Sequence, residues 1–279
     1  MLLRCGRYRL PLDGPRLMGV INLTPDSFSD GGRHATPEAA LARARVLCEQ
    51  GAALIDIGGE STRPGAQPVD LDEERRRVLP VLECLVDALD VPVSVDTSKP
   101  ALMRDAIAAG AGMINDVNAF RAEGAWDTVA AAGTVALVVM HRQGEPATMQ
   151  RDPRYRDVTA EVECFLRERR RSALAAGIAP ERLVFDPGFG FGKSLAHNLT
   201  LLRDLPRLAD ELSPLLVGLS RKSMFAHLLG ERPPEARIAA SVQAAMLAVQ
   251  GGAAILRVHD VAETREALTL LAAVQRGDR

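Results

Sequence analysis

Short apolar segments recur eight times along this chain, and each is followed by a segment with helical spacing. The apolar segments are rich in β-branched residues; they are Leu17–Leu23, Ala53–Gly59, Val91–Thr97, Met113–Asn118, Ala136–His141, Leu183–Gly188, Leu215–Ser220 and Ala253–Asp260. Strands that are apolar over nearly their whole length are typical of a parallel sheet that is buried on both faces. The segments therefore predict eight parallel strands.

The intervening segments predict eight helices. They are Pro37–Gln50, Asp70–Leu89, Pro100–Ala109, Gly124–Ala132, Thr159–Ala176, Leu195–Ala209, Pro234–Val249 and Ala262–Gln275. Strand and helix alternate without a dividing linker, and 279 residues suit one α/β barrel. We therefore expect a single domain over residues 1–279 with a (β/α)8 TIM-barrel fold. A doubly wound open sheet is the alternative, because strand order is not encoded in these patterns.

Charge and cysteine usage exclude several classes of protein. The chain has 34 Lys and Arg against 36 Asp and Glu, which argues against a general binder of nucleic acid or anionic membranes. Its four cysteines are widely separated and lack metal-ligand spacing, which indicates free thiols in a reducing compartment. No signal peptide and no run of 18 apolar residues is visible. The sequence predicts a cytoplasmic protein.

Polar side chains stand at the end of every predicted strand. They are Asn22, Asp56, Asp96, Asn115, His141, Asp186, Lys222 and the pair Arg257 and His259. The carboxyl ends of barrel strands and the loops after them build the active site in proteins of this architecture. One such residue would be explained by a helix cap or a loop hydrogen bond. So many at one rim indicate an active site there.

The residue types at these ends suit a flat heterocycle that carries an anionic leaving group. Asp96, Asn115 and Asp186 can accept hydrogen bonds from an amino group beside a ring N–H, and Lys222 could donate to a ring carbonyl. Arg257 and His259 are two residues apart on one strand, so they share a face. With Asn22 and Arg63 they would suit an anion.

Three glycine-rich segments complete the pattern. Gly188–Lys193 (GFGFGK) lacks the spacing of a P-loop or a dinucleotide-binding motif. It indicates a loop where the backbone approaches a ligand, with Phe189 and Phe191 as packing walls. Two long segments follow the first and second strands, at 22–32 and 58–65. Their Gly, Pro and Ser content predicts mobile lids.

The chain resembles dihydropteroate synthase of the folate pathway over nearly its full length. The motifs that carry the resemblance are MGVINLTPDSFSDGG (Met18–Gly32), IDIGGESTRPGA (Ile55–Ala66), SVDTSKP (Ser94–Pro100), INDV (Ile114–Val117), MQ (Met149–Gln150), DPGFGFGK (Asp186–Lys193), GLSRKS (Gly218–Ser223) and RVHDV (Arg257–Val261). The first two together are highly specific. The resemblance implies the same barrel that the periodicity predicts.

The resemblance also implies a reaction and its residues. A transferase of this family condenses 6-hydroxymethyl-7,8-dihydropterin diphosphate with 4-aminobenzoate, giving 7,8-dihydropteroate and pyrophosphate. The implied contacts to the pterin diphosphate are Asn22, Thr62, Asp96, Asn115, Asp186, Lys222, Arg257 and His259. The implied contacts to 4-aminobenzoate are Thr62, Arg63, Pro64, Phe191, Ser220 and Lys222. The implied catalytic residues are Asn22, Arg63, Lys222, Arg257 and His259, and Asn22 is the implied Mg2+ ligand.

Chemistry and assembly follow from the same resemblance. Electron donation from the pterin ring can stabilise a cation that forms as pyrophosphate leaves, so an SN1-like reaction with Mg2+ assistance needs no strong protein nucleophile. The family is expected to form a homodimer through the segments Pro234–Val249 and Ala262–Gln275, which are rich in Ala and Leu. No nucleic acid or membrane partner is implied.

Two positions do not fit the resemblance simply. Where the family often has Met-His-Met-Gln, this chain has Met140-His141-Arg142-Gln143, and the role of Arg142 is open. Asp56 matches a carboxylate on the second strand, for which structural support and catalysis beside the diphosphate are both possible.

Two other functions remain as alternatives. A catalytically silent paralogue that binds pterin should lack lid residues such as Asp30 or Arg63, and both are present. A pterin-binding methyltransferase module should belong to a longer chain without the two lid motifs. Product formation from the two substrates would separate all three.

Overall fold

Eight parallel strands close into a barrel in the computed structural model, which describes residues 1–24, 36–61, 66–145 and 148–277. The barrel strands are β3 (Arg16–Asn22), β4 (Ala52–Gly58), β5 (Val93–Asp96), β6 (Met113–Asp116), β7 (Ala136–Met140), β8 (Leu183–Asp186), β9 (Leu215–Val217) and β10 (Ala253–Val258). Each strand pairs in parallel with the next, and β10 closes the ring on β3. The predicted barrel is confirmed, and the closure excludes an open sheet.

Helices surround the barrel. The described residues form α1 (Pro37–Glu49), α2 (Leu71–Ala88), α3 (Pro100–Ala108), α4 (Ala125–Ala131), α5 (Val158–Ala175), α6 (Leu195–Arg203), α7 (Leu205–Leu212), α8 (Met224–Leu229), α9 (Ile238–Gln250) and α10 (Val261–Arg276). Within the described ranges, no helix combines the length and the apolar character that a membrane crossing requires.

Two helix predictions are corrected. The segment predicted as one helix over Leu195–Ala209 is two helices, α6 and α7, with Pro206 in the first turn of α7. Because proline has no N–H and clashes with the preceding turn, it is favoured at a helix start and disfavoured inside a helix, although α2 accommodates Pro80. The predicted helix Pro234–Val249 begins with a 3-10 turn at Pro234–Arg237 and becomes α-helical at Ile238. The helix α8 has no counterpart among the predicted helices.

Side chains cap the amino ends of α1 and α2, next to where the sequence predicts these helices to start. Thr36 Oγ1 accepts a hydrogen bond from Ala39 N at 3.2 Å, and Asp70 Oδ1 accepts one from Glu73 N at 2.8 Å. Both residues are N-caps, which satisfy backbone donors that the first helical turn leaves without partners.

Two separate apolar cores lie on either side of the barrel wall. The larger one fills the space between strands and helices. The smaller one fills the barrel interior and includes Met18, Leu54, Val184 and Ile255. Since side chains alternate along a strand, residues two positions further toward the carboxyl end also face the interior.

The amino end of the barrel is closed by a hairpin that the sequence analysis did not predict. Its strands are β1 (Leu2–Cys5) and β2 (Tyr8–Pro11), which pair antiparallel. Leu3, Cys5 and Leu10 are buried and belong to the interior core. Gly6 N donates to Thr134 O at 3.0 Å, which ties the turn to the segment before β7. The interior is therefore sealed at this end and is approached from the carboxyl ends of the strands.

Candidate active site

Polar side chains form a ring inside the barrel at the carboxyl ends of the strands. Asp56, Asp96, Asn115, Asp186 and Arg257 each lie two residues beyond an interior position of their strands. The three carboxylates and the amide are buried, with 0 to 7% of each residue exposed. Strand register brings them together, because Asp96 is paired with Asn115 across β5 and β6. The structure therefore gathers the residues that were predicted to hold a heterocycle.

Arg257 joins two of these carboxylates. Its Nε and Nη2 both lie 2.7 Å from Asp56 Oδ2, and Nη2 lies 3.2 Å from Asp96 Oδ2. The Asp56 side chain is fully buried, whereas the Arg257 side chain is 23% exposed. Asp56 therefore has a definite structural contact: it holds the arginine against the interior wall, beside Asp96.

The carboxylates of this ring are poorly solvated. Burial raises the pKa of Asp96 to about 8, although the Arg257 guanidinium opposes the shift. Burial also raises the pKa of Asp186, against the Gly188 N–H and the charges of Lys222, Lys193 and Arg257. Burial acts to lower the pKa of Arg257, but Asp56 and Asp96 outweigh it and the net shift is upward. A ligand that brings N–H donors would supply what these carboxyl groups lack.

The loop after β8 is folded back onto the loop after β7. Gly188 has a φ of +71°, and a Cβ atom there would lie 1.9 Å from His141 O. At Gly192, with a φ of +63°, a Cβ atom would lie 2.2 Å from Gln143 O. Only glycine fits these positions. The close backbone approach predicted from the glycines is therefore to a neighbouring loop of the protein.

The two phenylalanines of this loop have different places. Phe189 is 1% exposed and packs in the outer core, as a packing wall should. Phe191 is only partly buried, and Lys222 Nζ lies 4.3 Å from the centroid of its ring. Phe191 and Lys222 therefore form one side of the barrel mouth.

The loop after β9 is fixed to the end of β10. Ser220 Oγ accepts a hydrogen bond from His259 N at 3.2 Å and lies 3.0 Å from His259 Nδ1. Arg221 has a φ of +58°, and its guanidinium binds both oxygens of Asp260 at 3.0 and 2.6 Å. These contacts hold Ser220, Lys222 and His259 at the same side of the mouth as Arg257.

The turn after β6 carries two strained residues. Ala119 and Phe120 both have a φ of +55°. The buried Asp116 carboxylate accepts hydrogen bonds from Asn118 N at 2.7 Å and Phe120 N at 2.6 Å, and from the hydroxyl of Ser98. Strain of this kind is kept only where surrounding contacts fix it. Here the hydrogen bonds to Asp116 hold the turn and so fix the end of β6, the strand that carries Asn115.

The remaining predicted site residues fall into two groups. Asn22 ends β3 and is partly buried at the mouth. Thr62, Arg63 and Pro64 lie outside the described residues, as do Asp30 and most of the predicted first lid. Arg142 is 7% exposed, and its Nη2 lies 3.2 Å from both Asn118 Oδ1 and Glu145 Oε2. It therefore links the turn after β6 to the loop after β7.

Sequence reasoning missed the buried cation of this site, Lys193. The residue is 3% exposed and its Nζ lies 2.9 Å from His141 Nδ1. A lysine at the end of a glycine-rich motif was the available signal. It was set aside because the motif lacked the spacing of a phosphate-binding loop.

The assembled mouth has acceptors on one side and cations on the other. Buried acceptors from β5, β6 and β8 face the interior. Arg257 lies on β10, and Lys222 and His259 lie in the loops after β9 and β10. Such a polarity suits a planar ligand with amino donors and an attached anion. It provides electrostatic stabilisation for that anion.

Comparison with known proteins agrees with this geometry. The family model described as pterin binding enzyme matches residues 18–259. The dihydropteroate synthase of Neisseria meningitidis serogroup C is 49% identical over 268 residues, covering 95% of this chain and 94% of that protein.

Solved structures give the same result. The Xanthomonas albilineans dihydropteroate synthase with 4-aminobenzoic acid is 56% identical with a TM-score of 0.93, and 98% of each chain is covered. The same organism's enzyme in complex with 7,8-dihydropteroate is 52% identical with a TM-score of 0.89, and 99% of each chain is covered.

Proposed function

This chain belongs to the dihydropteroate synthases, which are transferases of the pterin-binding enzyme family, and we propose that its strand-end ring is where the pterin substrate binds. The reaction joins 6-hydroxymethyl-7,8-dihydropterin diphosphate to 4-aminobenzoate and releases pyrophosphate. The observation that carries the site assignment is the meeting of Asp96, Asn115 and Asp186 inside the barrel, beside Arg257.

We propose that the pterin ring lies with its amino and ring N–H groups toward the buried acceptors. The raised pKa values of Asp96 and Asp186 indicate carboxyl groups with too few donors, which a pterin would supply. Asn115 can both donate and accept, and Lys222 can donate to the ring carbonyl. The ring itself would then lie below Arg257.

We propose that the diphosphate lies toward the cations of the mouth. Arg257 and His259 would bind it, together with Thr62 and Arg63, which lie outside the described residues. As the bond to the methylene carbon breaks, negative charge grows on the leaving group, and preorganised cations stabilise that change. The pterin ring would stabilise the developing cation, and the arylamine nitrogen would capture it in an SN1-like step.

A magnesium ion fits the same region. Magnesium prefers hard oxygen ligands, keeps several waters and commonly shares one or two protein ligands with substrate phosphates. The Asn22 amide at the end of β3 is such a ligand. Within the described residues no cluster of three or more His, Cys, Asp or Glu could hold the ion without the substrate. When bound, the ion would neutralise charge on the diphosphate. Asn22→Ala should therefore raise the magnesium concentration needed for half-maximal turnover.

We propose that 4-aminobenzoate binds above the pterin, against Phe191, Ser220 and Lys222. The aromatic face of Phe191 beside Lys222 suits an aromatic carboxylate. Thr62, Arg63 and Pro64 complete the proposed contact set. Ordered binding stays a prediction from the sequence: affinity for 4-aminobenzoate should rise sharply when pyrophosphate and magnesium are supplied. Equal affinity with and without pyrophosphate would contradict it.

We further propose a homodimer through α9 and α10. Leu247 on α9 is 53% exposed, and Leu270 and Val274 on α10 are 63% and 70% exposed. A cavity of about 540 Å³ lies along α10 beside Leu270. Exposed apolar surface of this kind favours association. Leu270→Glu should lower the mass found by light scattering at micromolar concentration. A wild-type monomer at that concentration would contradict the dimer.

A cytoplasmic location is also proposed, supported by the four cysteines. All four are free thiols, and Cys5 is buried in the barrel interior. Free cysteines persist in reducing compartments.

One experiment tests the function and its alternatives. The purified protein is given the pterin diphosphate, 4-aminobenzoate and magnesium, and formation of 7,8-dihydropteroate is followed by chromatography. The proposal is supported if the wild type forms product and the Arg257→Met variant does not. Pterin binding without product would favour the silent paralogue. Product formation unchanged in Arg257→Met and Asp186→Asn would overturn the site assignment.

A further inference from the structure

Lys193 is a fully enclosed lysine that the proposed reaction does not use. It follows the glycine-rich loop after β8 and is 3% exposed. Its Nζ lies 2.9 Å from His141 Nδ1, 2.9 Å from Gly188 O, 3.2 Å from Phe191 O and 3.4 Å from His141 O. No carboxylate is among these partners, so the residue is not an ordinary buried ion pair.

The partners indicate an ammonium group. An ammonium has three protons and no lone pair, whereas a neutral amine has two protons and one lone pair. Three carbonyl oxygens and one imidazole nitrogen surround Nζ, and carbonyls only accept. His141 can accept as well, because burial lowers its pKa to about 2 and the imidazole stays neutral. Burial lowers the pKa of Lys193 itself to about 7, so the ammonium prevails in mildly acidic solution.

The contacts run from Lys193 to a residue of the pterin site. Gly188 O accepts from Lys193, and Gly188 N donates to Asp186 Oδ1 at 2.7 Å. The Gly188 and His141 main chains pack closely, because a Cβ atom on Gly188 would lie 1.9 Å from His141 O. His141 N also donates to Asp186 O at 2.9 Å. Lys193, Gly188 and His141 thus fix both the main chain and the side chain of Asp186.

We propose that Lys193 is a positioning residue for pterin binding: its ammonium fixes the Gly188 turn behind Asp186, and its buried charge stabilises the carboxylate form of Asp186. This inference rests on the proposed contact between Asp186 and the pterin. Lys193 would not touch the substrate. It would act from behind the loop, where a cation is shielded from solvent and its field is therefore weakly screened.

Other titratable groups face the same pair and enter the test. Lys222 comes from the loop after β9, Arg257 from β10, His141 from the loop after β7, and His197 from α6. The charges of Lys222, Lys193 and Arg257 all favour the Asp186 carboxylate. Removing one of these three cations should raise the pKa of Asp186. Because the other two remain, the titration of Asp186 should still be measurable.

The test is the pH dependence of pterin affinity, measured by calorimetry with the pterin diphosphate and without 4-aminobenzoate. Lys193→Met removes the charge with little change in length. Without that charge the pKa of Asp186 rises, so affinity is lost at a higher pH as the solution is acidified. We expect the acid midpoint to move up by about one pH unit and the affinity at pH 6 to fall about tenfold. Lys193→Gln keeps a neutral donor and should show the same shift if Lys193→Met does not fold.

Two control variants distinguish the effect of the Lys193 charge from the effect of losing a structural contact. Tyr155→Phe removes a hydrogen bond of 2.9 Å from Tyr155 Oη to Gly192 O, on the same loop and without loss of charge. Arg182→Met removes a buried cation that donates to Val135 O and Val129 O near the amino end of β7. Both should lower stability and leave the acid midpoint in place. A Lys193 variant that weakens binding equally at every pH would overturn the proposal.

The Asp186→Asn variant distinguishes the two possible failures. If Asp186→Asn leaves both the pterin affinity and the loss of affinity at low pH (the acid limb) unchanged, the assignment of Asp186 to the pterin is wrong. If it removes part of the acid limb while Lys193→Met and Lys193→Gln shift nothing, the pterin contact stands and the role of Lys193 is refuted.

Discussion

Each end of the barrel holds an arginine, and the two arginines differ in their burial and in their partners. Near the amino end, Arg182 is 1% exposed and donates to two backbone carbonyls at 2.8 and 2.7 Å. At the carboxyl end, Arg257 donates to two carboxylates, and its side chain is 23% exposed. The first arginine ties backbone segments together. The second holds charges side by side at an opening.

The two ends also differ in the side chains that line the barrel interior. Beneath Arg257, Asp56 Oδ1 and Ser94 Oγ are buried, yet neither has a hydrogen-bond partner among the described residues. The hairpin end instead presents Leu3, Cys5 and Leu10 to an apolar interior. Unsatisfied buried polar groups cost stability and are rare. Asp56 Oδ1 and Ser94 Oγ could therefore accept or donate hydrogen bonds to a polar ligand, although Arg4 Nε in the hairpin is also buried without a partner among the described residues.

The largest expected effect is on turnover, from Arg257→Met. Loss of the guanidinium removes charge stabilisation of the leaving diphosphate, so kcat/KM should fall about 10³-fold in the product assay. Arg182→Met is the matched control at the other end, and its turnover should stay near wild type at a temperature where it is folded. Similar losses of kcat/KM in both variants would break the distinction between the two arginines.

A smaller effect is expected on pterin affinity, from Asp96→Asn. The amide cannot replace a charge-assisted acceptor, so binding should weaken by about 2–4 kcal/mol in calorimetry. Ser94→Ala is the control, since Ser94 lies two residues earlier on the same face of β5 and its hydroxyl has no partner among the described residues. Unchanged affinity in Asp96→Asn would remove Asp96 from the proposed site.

At the closed end the expected effect is on stability alone. Leu3→Ala should lower the free energy of unfolding by about 2–3 kcal/mol in urea, because it leaves a cavity in the interior core. Its neighbour Leu2 is 49% exposed, so Leu2→Ala should cost far less. Pterin affinity should be unaffected in both variants. A weaker pterin complex in Leu3→Ala would mean that the two ends are coupled.

The smallest expected effect is a pH dependence that belongs to the open end. Burial raises the pKa of Asp96 from 3.8 to about 8. Between these values the folded chain binds more protons than the unfolded chain, so this contribution to stability is complete below about pH 4 and is lost toward pH 8.

Asp96→Asn should therefore gain on the wild type as the pH rises from 5 to 8, by about 1 kcal/mol or more in urea denaturation. At the closed end, burial raises the pKa of Cys5 to about 12, outside this window. The difference in free energy of unfolding between Leu3→Ala and the wild type should therefore stay constant over the same pH range. A constant difference between Asp96→Asn and wild type would refute the raised pKa of Asp96.

Local signals were sufficient for the barrel strands. Each predicted strand overlaps an observed one, because a strand buried on both faces must be apolar throughout and its end is marked by polar residues. The hairpin was missed because LLRC and YRLP are four residues each and carry arginines, so no apolar run appears. Its buried Leu3 and Leu10 gain their role only from the interior that they close.

The alternation of strands and helices, the polar residue at each strand end and, through the motifs, the family can all be read from the amino-acid sequence. They can be read there because periodicity and strand-end chemistry are local properties of the chain. Which of these residues meet depends on how the chain folds. Asp56 and Arg257 are 201 residues apart in the sequence, and Lys193 and His141 are 52 residues apart. Closure of the barrel and the folding of one loop onto another bring them within hydrogen-bond distance, and no local pattern records such contacts.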